Sequence, residues 1–424
     1  MALGPPPFLL PAGMRDLLPA EAHSRRAIAR LVLEHMALWG YEMVTPPAFE
    51  LAAVLERGLG TLDPQDVLRF VEPESGEVAA LRPDMTPQIA RMAAARMRDL
   101  PPPMRLAYEG TVLRRRQERA RRHRQIPQTG LELLGVAGPD GDLEVITIAA
   151  STVRRAGISR FVLDLGHAGV SRGLLAAYPD DVAVALRDAL AVKDEATVAR
   201  LAAHGDVPAA VRAALTALPA LHGEVAVLDR AEALLASTPA AAGLSALRAI
   251  VDGSVAAGLG DVLRVDLGEV RGFEYYTGML FRVLADGPGE ALGGGGRYDD
   301  LLARFGAPMP AAGFALDLDH LAWARRVAGC VDDVATRTLV VGPGARELAA
   351  ALRARGLTAT ASDSNDPRGY AAAWRYTALI TRDAQSVTLE RLDTGARSCD
   401  APTDSGDVAV ATWAESLLAG RMPG

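Results

Sequence analysis

The chain has 424 residues, enough for two or three domains with cores of their own. Half of the residues are hydrophobic and 23% are charged, a composition typical of globular proteins. The formal net charge of −7 argues against general nucleic-acid binding, because neutralising phosphates requires a basic surface. Cys330 and Cys399, the two cysteines, show no CxxC spacing, which excludes a disulfide framework and a structural zinc site and fits a reducing cytosol.

The N-terminal part of the chain predicts an α+β domain whose sheet is largely antiparallel. Apolar residues recur at helical spacing over residues 19–39, and Pro19 suits the first turn of such a helix. A short strand through Met43 and Val44 then runs into two prolines, Pro46 and Pro47, which end regular pairing. Short strands and helices alternate as far as residue 165, and we expect them at Val78–Leu81, Pro87–Met97, Arg105–Tyr108, Gly130–Leu134 and Phe161–Leu165.

The composition of the chain changes in its middle part. Residues 170–258 are rich in alanine and helical in period, and we interpret them as a helical insertion within a domain of residues 1–330. Strands are expected again at Val262–Leu267 and Met279–Val283, followed by the glycine run Gly293–Gly296. No apolar stretch reaches the 18 residues or so of a membrane span, and the first residues lack the basic region of a signal peptide. The expected location is therefore the cytoplasm.

Residues 331–424 predict a second, smaller α/β domain. A strand is expected at Leu339–Val341, a helix at Ala345–Arg355 that ends at Gly356, and another strand at Thr377–Ile380. The arginines of this region alternate with acidic residues and it contains no lysine, so no basic face is expected.

The first motif that could carry chemistry is RGFEYYTG, which runs from Arg271 to Gly278. An arginine beside two tyrosines suits a small zwitterion, because a guanidinium pairs with a carboxylate and phenol hydroxyls bind a polar side chain. The alternative is that Tyr275 and Tyr276 are strand residues packing on opposite faces. The nearby run Gly293–Gly296 is not followed by GK[ST], so it indicates tight backbone packing or a bulge rather than a phosphate loop.

Two further motifs contain candidate binding residues. In LRPDMTPQIARM, Asp84 and Thr86 either cap the following helix or line a pocket where Asp84 would bind an amino group. In GTVLRRRQERARRHRQIPQTGLELLG, the arginines between Arg114 and Arg124 form either a polyanion site or a solvated basic loop. Gln128 and Glu132 follow on a predicted strand, and their even spacing places them on one face.

These motifs occur together, and in the same order, in histidyl-tRNA synthetases, which the chain resembles over its whole length. RGFEYYTG resembles the histidine motif RGLDYY, and GGGGRYDDLL resembles AGGRYDGL. Residues 113–135 resemble motif 2 of class II synthetases, and the first helix with its TPP sequence resembles motif 1. The resemblance implies a class II synthetase-like antiparallel sheet domain with a helical insertion, and a degenerate anticodon-binding-like domain at residues 331–424.

The resemblance also implies a pocket for histidine or a similar ligand. RGFEYY matches the histidine motif, LRPDMT matches the family's LRPEGT segment, and the motif 2 region supplies the remaining positions. The matching positions are Asp84, Thr86, Arg114, Gln128, Glu132, Arg271, Tyr275 and Tyr276.

The nucleotide side of the site departs from the family pattern at four positions. Arg116 stands where motif 2 has a glutamate, and Ile126 stands where an aromatic residue stacks on adenine. In motif 3, Asp317 replaces a glycine and His320 replaces the arginine that clamps ATP. Losing one such electrostatic clamp typically costs about 3 kcal/mol in transition-state stabilisation. We therefore expect that the chain does not activate an amino acid and that it has neither catalytic residues nor a cofactor or metal.

One branch of the family fits this pattern, the regulatory subunits of ATP phosphoribosyltransferase. The sequence LRPDMTPQIAR, with Asp84 and Met85 in place of Glu-Gly, resembles that branch. The resemblance implies a homodimer within a hetero-oligomer, a partner chain that catalyses the first step of histidine biosynthesis, and feedback control by histidine. We do not expect tRNA binding, because residues 331–424 show no basic excess. The alternatives are an atypical histidyl-tRNA synthetase and a stand-alone histidine or tRNA sensor.

Overall fold

The structure is a computed structural model that describes residues 10–59, 67–114, 123–270, 275–331, 336–383, 385–398 and 406–419. Arg271 and the arginines from Arg115 to Arg122 lie outside the described residues. The chain divides into two compact units, Met1–Val331 and Asp332–Gly424.

The described helices of the larger unit are α1 (Pro19–Leu38), α2 (Ala52–Leu59), α3 (Thr86–Arg96), α4 (Asp140–Arg155), α5 (Ala168–Leu175), α6 (Asp180–Ala191), α7 (Glu195–Ala202), α8 (Ala209–Ala217), α9 (Val227–Leu235), α10 (Ala241–Ala256) and α11 (Leu318–Val327). Its described strands are β1 (Glu42–Met43), β2 (Phe49–Leu51), β3 (Arg69–Val71), β4 (Val78–Leu81), β5 (Met104–Leu113), β6 (Gln125–Leu134), β7 (Phe161–His167), β8 (His222–Gly223), β9 (Leu263–Asp266), β10 (Met279–Ala285), β11 (Gly293–Arg297) and β12 (Ala311–Asp317). Short 3-10 helices cover Leu218–Ala220 and Leu302–Phe305.

Nine of these strands form one sheet in the order β1-β5-β6-β12-β11-β10-β7-β9-β8. The pairs β1–β5 and β7–β9 are parallel, and the other neighbouring strands are antiparallel, as the sequence predicts. A separate antiparallel sheet has the order β2-β4-β3.

Side chains of β6 contribute to two cores, one on each face of the large sheet, because successive side chains of a strand point to opposite faces. Leu131 and Leu133 belong to a core that includes α1, α4 and the insertion. Ile126 and Leu134 belong to a second core that includes α3 and Tyr275. The candidate residues of motif 2 therefore lie on the face that α3 covers.

The first helix forms as predicted, from Pro19 at its first position to Leu38. Ile28, Val32 and Met36 are buried at helical spacing against the sheet. The helix ends where Gly40 adopts a positive φ of 81°, a conformation that favours glycine. Trp39, which follows the last helical residue, is 38% exposed.

Helices α5 to α10 contain the predicted insertion, and an ion network joins it to the sheet. Lys193, which follows α6, places Nζ 2.6 Å from Asp266 Oδ1. Arg282 on β10 lies 2.9 Å from Asp164 and 3.0 Å from Glu269. The three carboxylates offer oxygens within 4.8 Å of one another, but the two cations already balance much of their charge. Burial still raises the pKa of Asp164 above its ordinary value, despite the hydrogen bond from Arg282.

The smaller unit contains helices and strands in an alternating order. They are β13 (Arg337–Val341), α12 (Ala345–Ala354), β14 (Thr358–Ala361), α13 (Pro367–Ala373), β15 (Ala378–Arg382), β16 (Val387–Arg391), β17 (Arg397–Ser398) and α14 (Asp407–Leu418). The sheet order is β14-β13-β15-β16-β17, with β13 parallel to both of its neighbours and β15–β16 antiparallel. A core between this sheet and α12 and α14 includes Leu348, Ile380 and Trp413.

Acidic side chains pair with the arginines of the smaller unit. Arg368 lies 2.7 Å from Glu390, Arg382 lies 2.5 Å from Asp407, and Arg391 lies 2.6 Å from Asp393. These pairs lower the positive potential that an RNA-binding face needs.

Among the described residues of the whole chain, no helix is both long and apolar enough to cross a membrane.

Candidate functional site

Four of the candidate residues meet in one buried cluster beneath α3. The Tyr275 hydroxyl donates to Asp84 Oδ2 over 2.7 Å, and the Thr86 hydroxyl donates to Glu132 Oε1 over 2.7 Å. The backbone N–H of Thr86 donates to Asp84 Oδ1 over 3.2 Å. All four residues are at most 7% exposed, so the structure brings together segments that are far apart in sequence. Asp84 therefore both supports the start of α3 and contacts the tyrosine motif.

The turn before α3 is held by Arg82, which is itself buried. Its Nε donates to Thr111 O over 2.9 Å, and its Nη1 donates to Pro46 O and Pro47 O, each over 3.0 Å. Gln88 on α3 adds a hydrogen bond from Nε2 to Pro47 O over 3.0 Å. The carbonyl groups of the two prolines, and that of Thr111 on β5, thus accept hydrogen bonds that hold the start of α3.

The tyrosines pack on glycines of the central strands. A Cβ atom at Gly296 would come within 2.8 Å of the Tyr276 ring, and one at Gly313 would come within 2.7 Å of the Tyr298 hydroxyl. Tyr275 contacts both other tyrosines, with ring centroids 4.8 Å from Tyr276 and 5.5 Å from Tyr298. The glycine run is regular in register on both sides, so close packing explains it and a bulge does not.

Tyr275 and Tyr276 do not lie on opposite faces of a strand. Strand β10 begins only at Met279, and the two rings contact each other. The alternative that they are ordinary strand residues is therefore wrong.

Burial controls the ionisation of the cluster. It raises the pKa of Glu132 well above its ordinary value, whereas the hydrogen bond from Thr86 opposes this rise and the nearby Asp84 adds to it. Burial and the charge of Asp84 also raise the pKa of Tyr275 well above the ordinary value. The phenols are therefore neutral at pH 7 and act as hydrogen-bond donors.

The cluster has unused hydrogen-bonding capacity above Gly313. Within the described part of the chain, neither Glu132 Oε2 nor the Tyr298 hydroxyl has a hydrogen-bond partner, although both are buried. A Cβ at Gly313 would lie 2.1 Å from Glu132 Oε2 and 2.7 Å from the Tyr298 hydroxyl, so the two groups converge there. An acceptor and a hydroxyl at this place suit a small ligand that carries N–H groups.

The remaining described candidates lie around this cluster. Gln128 is on β6, four residues before Glu132 and on the same face, opposite Asp317 of β12. Arg114 follows β5 and donates from Nε to Pro83 O over 3.2 Å. Arg271 lies outside the described residues. Of the described candidates, only Tyr275 and Tyr276 line the adjoining cavity of about 650 Å³.

Two tyrosines of the site were not among the predicted residues. Tyr298 follows the glycine run in GGGGRYDD, and Tyr108 packs its ring over Gly130 of the neighbouring strand. Tyr298 lies within the GGGGRYDDLL motif, and that motif is the sequence signal that could have pointed to it. Neither tyrosine has a local signal for its contact, because the glycine that each ring packs over, Gly313 or Gly130, lies on another strand.

The described positions that were predicted for the nucleotide side make contacts within the chain. Ile126 is 1% exposed and belongs to the core that includes Met85 and Ile89. Asp317 caps α11, since its Oδ1 accepts from the backbone N–H of Asp319 over 2.9 Å and of His320 over 3.3 Å.

The His320 side chain is also engaged. Its Nδ1 lies 2.8 Å from Ala291 O, which fixes this nitrogen as the donor, and its Nε2 faces Glu290 Oε2 at 4.0 Å. Arg15 near the N-terminus lies 2.7 Å from Asp319 on α11. Arg15 N also donates to Gln125 Oε1 over 3.1 Å, so the first described residues join motif 2 to motif 3.

Comparison with known proteins agrees with this architecture. A family model described as histidyl-tRNA synthetase matches residues 13–321. An ATP phosphoribosyltransferase regulatory subunit from Anaeromyxobacter dehalogenans (strain 2CP-1) is 44% identical over 324 residues, which are 76% of this chain and 92% of that protein. Another from Syntrophotalea carbinolica is 34% identical over 405 residues, which are 92% of this chain and 94% of that protein.

Solved structures show the same fold. A protein from Bacillus halodurans, described as an ATP phosphoribosyltransferase regulatory subunit/histidyl-tRNA synthetase, matches 89% of this chain and 99% of its own with a TM-score of 0.78 and 28% identity. Histidyl-tRNA synthetase from Nostoc sp. PCC 7120 covers 92% of this chain and 96% of its own with a TM-score of 0.74, and at 21% identity it supports the fold alone.

The fold is that of the histidyl-tRNA synthetase class, and the predicted class II synthetase-like α+β fold is confirmed. Within that class, the chain belongs to the family of ATP phosphoribosyltransferase regulatory subunits, as its sequence motifs indicated.

Proposed function

We propose that this chain is a non-catalytic regulatory subunit that assembles in the cytoplasm with a catalytic ATP phosphoribosyltransferase chain. It would support the first step of histidine biosynthesis and make that step sensitive to histidine. The observation that carries the proposal is the contrast within one site. The amino-acid side is an assembled cluster of Asp84, Thr86, Glu132 and Tyr275, whereas Asp317 and His320 on the nucleotide side are engaged by the chain itself.

Histidine or a similar ligand suits the chemistry of the cluster. Its ring or ammonium N–H groups would donate to Glu132 and Asp84, and the hydroxyls of Tyr276 and Tyr298 supply further polar contacts. Arg271 would pair with the carboxylate, as the histidine motif implies, and Arg114, Gln128, Thr86 and Tyr275 complete the proposed set. A regulatory ligand of this kind needs a second site to which its binding energy is coupled, and the partner chain supplies one.

The same geometry argues against amino-acid activation. Adenylate formation depends on fixed positive charge around the phosphates. His320 gives its Nδ1–H to a backbone carbonyl and cannot reproduce the fork of an arginine, and Asp317 adds a carboxylate at the same helix end. We therefore propose that phosphoribosyl transfer takes place in the separate partner chain.

Assembly as a homodimer within the hetero-oligomer is part of the proposal. Leu38, Trp39 and Met43, at the end of α1 and on β1, are 74%, 38% and 51% exposed, which is unusual for large apolar side chains in such a short stretch. The region is the one that resembles motif 1. The smaller unit would serve packing or assembly rather than tRNA binding, because acidic partners pair with Arg368, Arg382 and Arg391.

The test combines the chain with a catalytic ATP phosphoribosyltransferase chain from the same source. We expect activity to rise on mixing and to fall when histidine is added. The variant Glu132→Gln should lose most of the histidine effect, whereas Glu347→Gln, an exposed position on α12, should retain it.

Two results would contradict the proposal. Robust histidine-dependent exchange of pyrophosphate into ATP by the chain alone would make it an atypical histidyl-tRNA synthetase. Histidine binding without any effect on, or association with, the catalytic chain would make it a stand-alone sensor.

A further inference from the structure

We propose that Arg297 is a positioning residue of the ligand site, which it reaches from the opposite face of the large sheet. Tyr276 and Tyr298 supply the contacts with the ligand, and Arg297 acts through them rather than on the ligand itself. This role rests on the proposed histidine site and adds to it a residue that lies outside the buried cluster.

Arg297 and Tyr298 are consecutive residues that belong to opposite faces of the sheet. Arg297 ends β11 opposite Ala312 of β12, whose side chain belongs to the core that includes α1 and α4. Tyr298 belongs to the second core, together with Tyr275. Because the two residues are adjacent in the chain, a shift of the Arg297 backbone moves the Tyr298 ring with it.

The backbone of Arg297 also holds the end of the tyrosine motif. Its carbonyl oxygen accepts hydrogen bonds from the backbone N–H groups of Thr277 over 2.8 Å and Gly278 over 3.3 Å. The Thr277 hydroxyl accepts from the backbone N–H of Asp299 over 3.0 Å. A Cβ atom at Gly278 would lie 2.9 Å from Cδ of Arg297, so the motif packs on the stem of this side chain. Tyr276 directly precedes Thr277, and its position therefore depends on these contacts.

The Arg297 side chain fixes this backbone to the start of α4. Its Nε donates to Asp142 Oδ1, in the first turn of that helix, over 2.7 Å. Its Nη1 donates to Asp299 Oδ1 over 2.8 Å and to Val136 O over 3.2 Å. One guanidinium group thus joins α4 to the residues on either side of Tyr298.

The ion pair of Arg297 and Asp142 is costly to bury. Both residues are at most 5% exposed, and among the described residues Arg297 Nη2 has no hydrogen-bond partner. Burial raises the pKa of Asp142 above its ordinary value, although Arg297 opposes the rise. Replacing a buried ion pair by uncharged residues is often neutral for stability. The position that the pair imposes on the tyrosines therefore explains it better than stability does.

Hydrogen–deuterium exchange on the full chain tests the positioning without a ligand. The wild type is compared with the double variant Arg297→Met and Asp142→Asn, which removes both charges together and should keep much of the stability. The backbone N–H groups of Thr277, Gly278 and Asp299 should exchange at least about tenfold faster in the double variant, whereas those in the middle of β6 should exchange as in the wild type. Unchanged exchange at all three positions would overturn the proposal.

Calorimetric titration of histidine tests the consequence for binding. The double variant should bind histidine about tenfold more weakly, which is the effect of losing roughly one well-oriented hydrogen bond. Glu144→Gln is the matched control, because it removes an ion pair with Arg105 from the same helix and leaves Arg297 unchanged. It should lose stability in urea and still bind histidine as the wild type does.

A conservative variant decides the question if the double variant does not fold. Arg297→Lys keeps a cation for Asp142 but cannot also donate to Asp299 and Val136 O, because an ammonium group lacks the fork of a guanidinium. It should therefore fold and bind histidine about threefold more weakly than the wild type.

The outcomes separate the role of Arg297 from the function of the site. Wild-type affinity in both the double variant and Arg297→Lys would refute the positioning role and leave the proposed function intact. Equal weakening in Glu144→Gln would show that binding follows overall stability, which also contradicts the role. If the wild type itself does not bind histidine, the proposed function fails, and the exchange rates at Thr277 and Asp299 still decide whether Arg297 positions the tyrosines.

Discussion

Replacing Glu132 by glutamine should make the protein more stable and its site weaker. Glu132 is 1% exposed, and in the described structure its Oε2 has no hydrogen-bond donor. Burial, supported by the charge of Asp84, raises its pKa well above the ordinary 4.5. When folding raises the pKa of a carboxyl group, the stability that the protonated group contributes is fully present below its pKa in the unfolded chain. That stability is lost as the pH rises through its pKa in the folded protein. The free-energy cost of burying Glu132 in the wild type therefore grows with pH.

The size of the effect follows from the unpaired carboxylate oxygen. Leaving a buried polar group unsatisfied costs about 1–3 kcal/mol, and more when the group is charged. Glutamine keeps an oxygen that can accept from Thr86, and its amide can donate toward the Tyr298 hydroxyl, which lies over the same glycine as Glu132 Oε2. We expect Glu132→Gln to raise the free energy of unfolding at pH 8 by at least about 1 kcal/mol. At pH 4.5 the difference should largely disappear.

The assay is urea denaturation at pH 4.5 and pH 8, paired with calorimetric titration of histidine. Histidine affinity should fall by about 2–5 kcal/mol, because the ligand loses a buried charged partner. Glu144→Gln is the matched control, for which we expect a change in stability of the opposite sign. Burial of Glu144 is outweighed by hydrogen bonds from Arg105 and Tyr41, which lower its pKa, so this variant should be less stable than the wild type at pH 8. A stability change in Glu132→Gln that is negative, or equal at both pH values, would refute the reasoning.

Three further outcomes follow from other parts of the fold. Arg297→Met should cost about 3–5 kcal/mol of unfolding free energy, because it leaves Asp142 buried without the partner that lies 2.7 Å away, and a double variant with Asp142→Asn should recover much of this loss in chemical denaturation. Burial lowers the pKa of His167 to about 4, so the wild type should lose stability as the pH falls from 6.5 toward 4. His167→Asn, which retains an acceptor for the cap of α5, should flatten that decline in denaturation curves, whereas His204→Asn on an exposed position should not. Asp317→Ala should lower stability by about 0.5–2 kcal/mol through loss of the α11 cap, and an unchanged melting temperature would show that the cap contributes nothing.

Periodic apolar patterns predicted the elements well wherever one face is buried. Helix α1 begins at Pro19 as expected, and β7 covers the predicted Phe161–Leu165 with two more residues at its end. The patterns did not predict β11, because four consecutive glycines have no strand propensity. That strand is held by its pairing with β10 and β12, and glycine is required in it because the neighbouring strands leave no room for Cβ atoms. A Cβ on Gly295 would lie only 2.0 Å from Gly313 O.

Local sequence patterns alone were not sufficient to predict the site. Even spacing on one strand placed Gln128 and Glu132 on the same face, and the motifs named Asp84 and Tyr275, which prove to share a hydrogen bond 191 residues apart in sequence. Composition gave no indication of Tyr108. Its role depends on the register of β5 against β6, which sets the ring over Gly130, and single-sequence patterns do not specify that register.

The strand register shows where the two predicted halves of the site lie on the sheet. In the β6–β12 pair, Glu132 lies opposite Gly313 and Gln128 lies opposite Asp317, on the same face and four residues along. The amino-acid end and the nucleotide end are thus two places on one pair of strands, separated by about two strand repeats. A side chain at position 317 adds bulk and charge at the nucleotide end without contact with Gly313, where Glu132 and Tyr298 converge. Because Asp317 also caps α11, returning it to glycine would reopen space at that end only by removing a contact that now stabilises the fold.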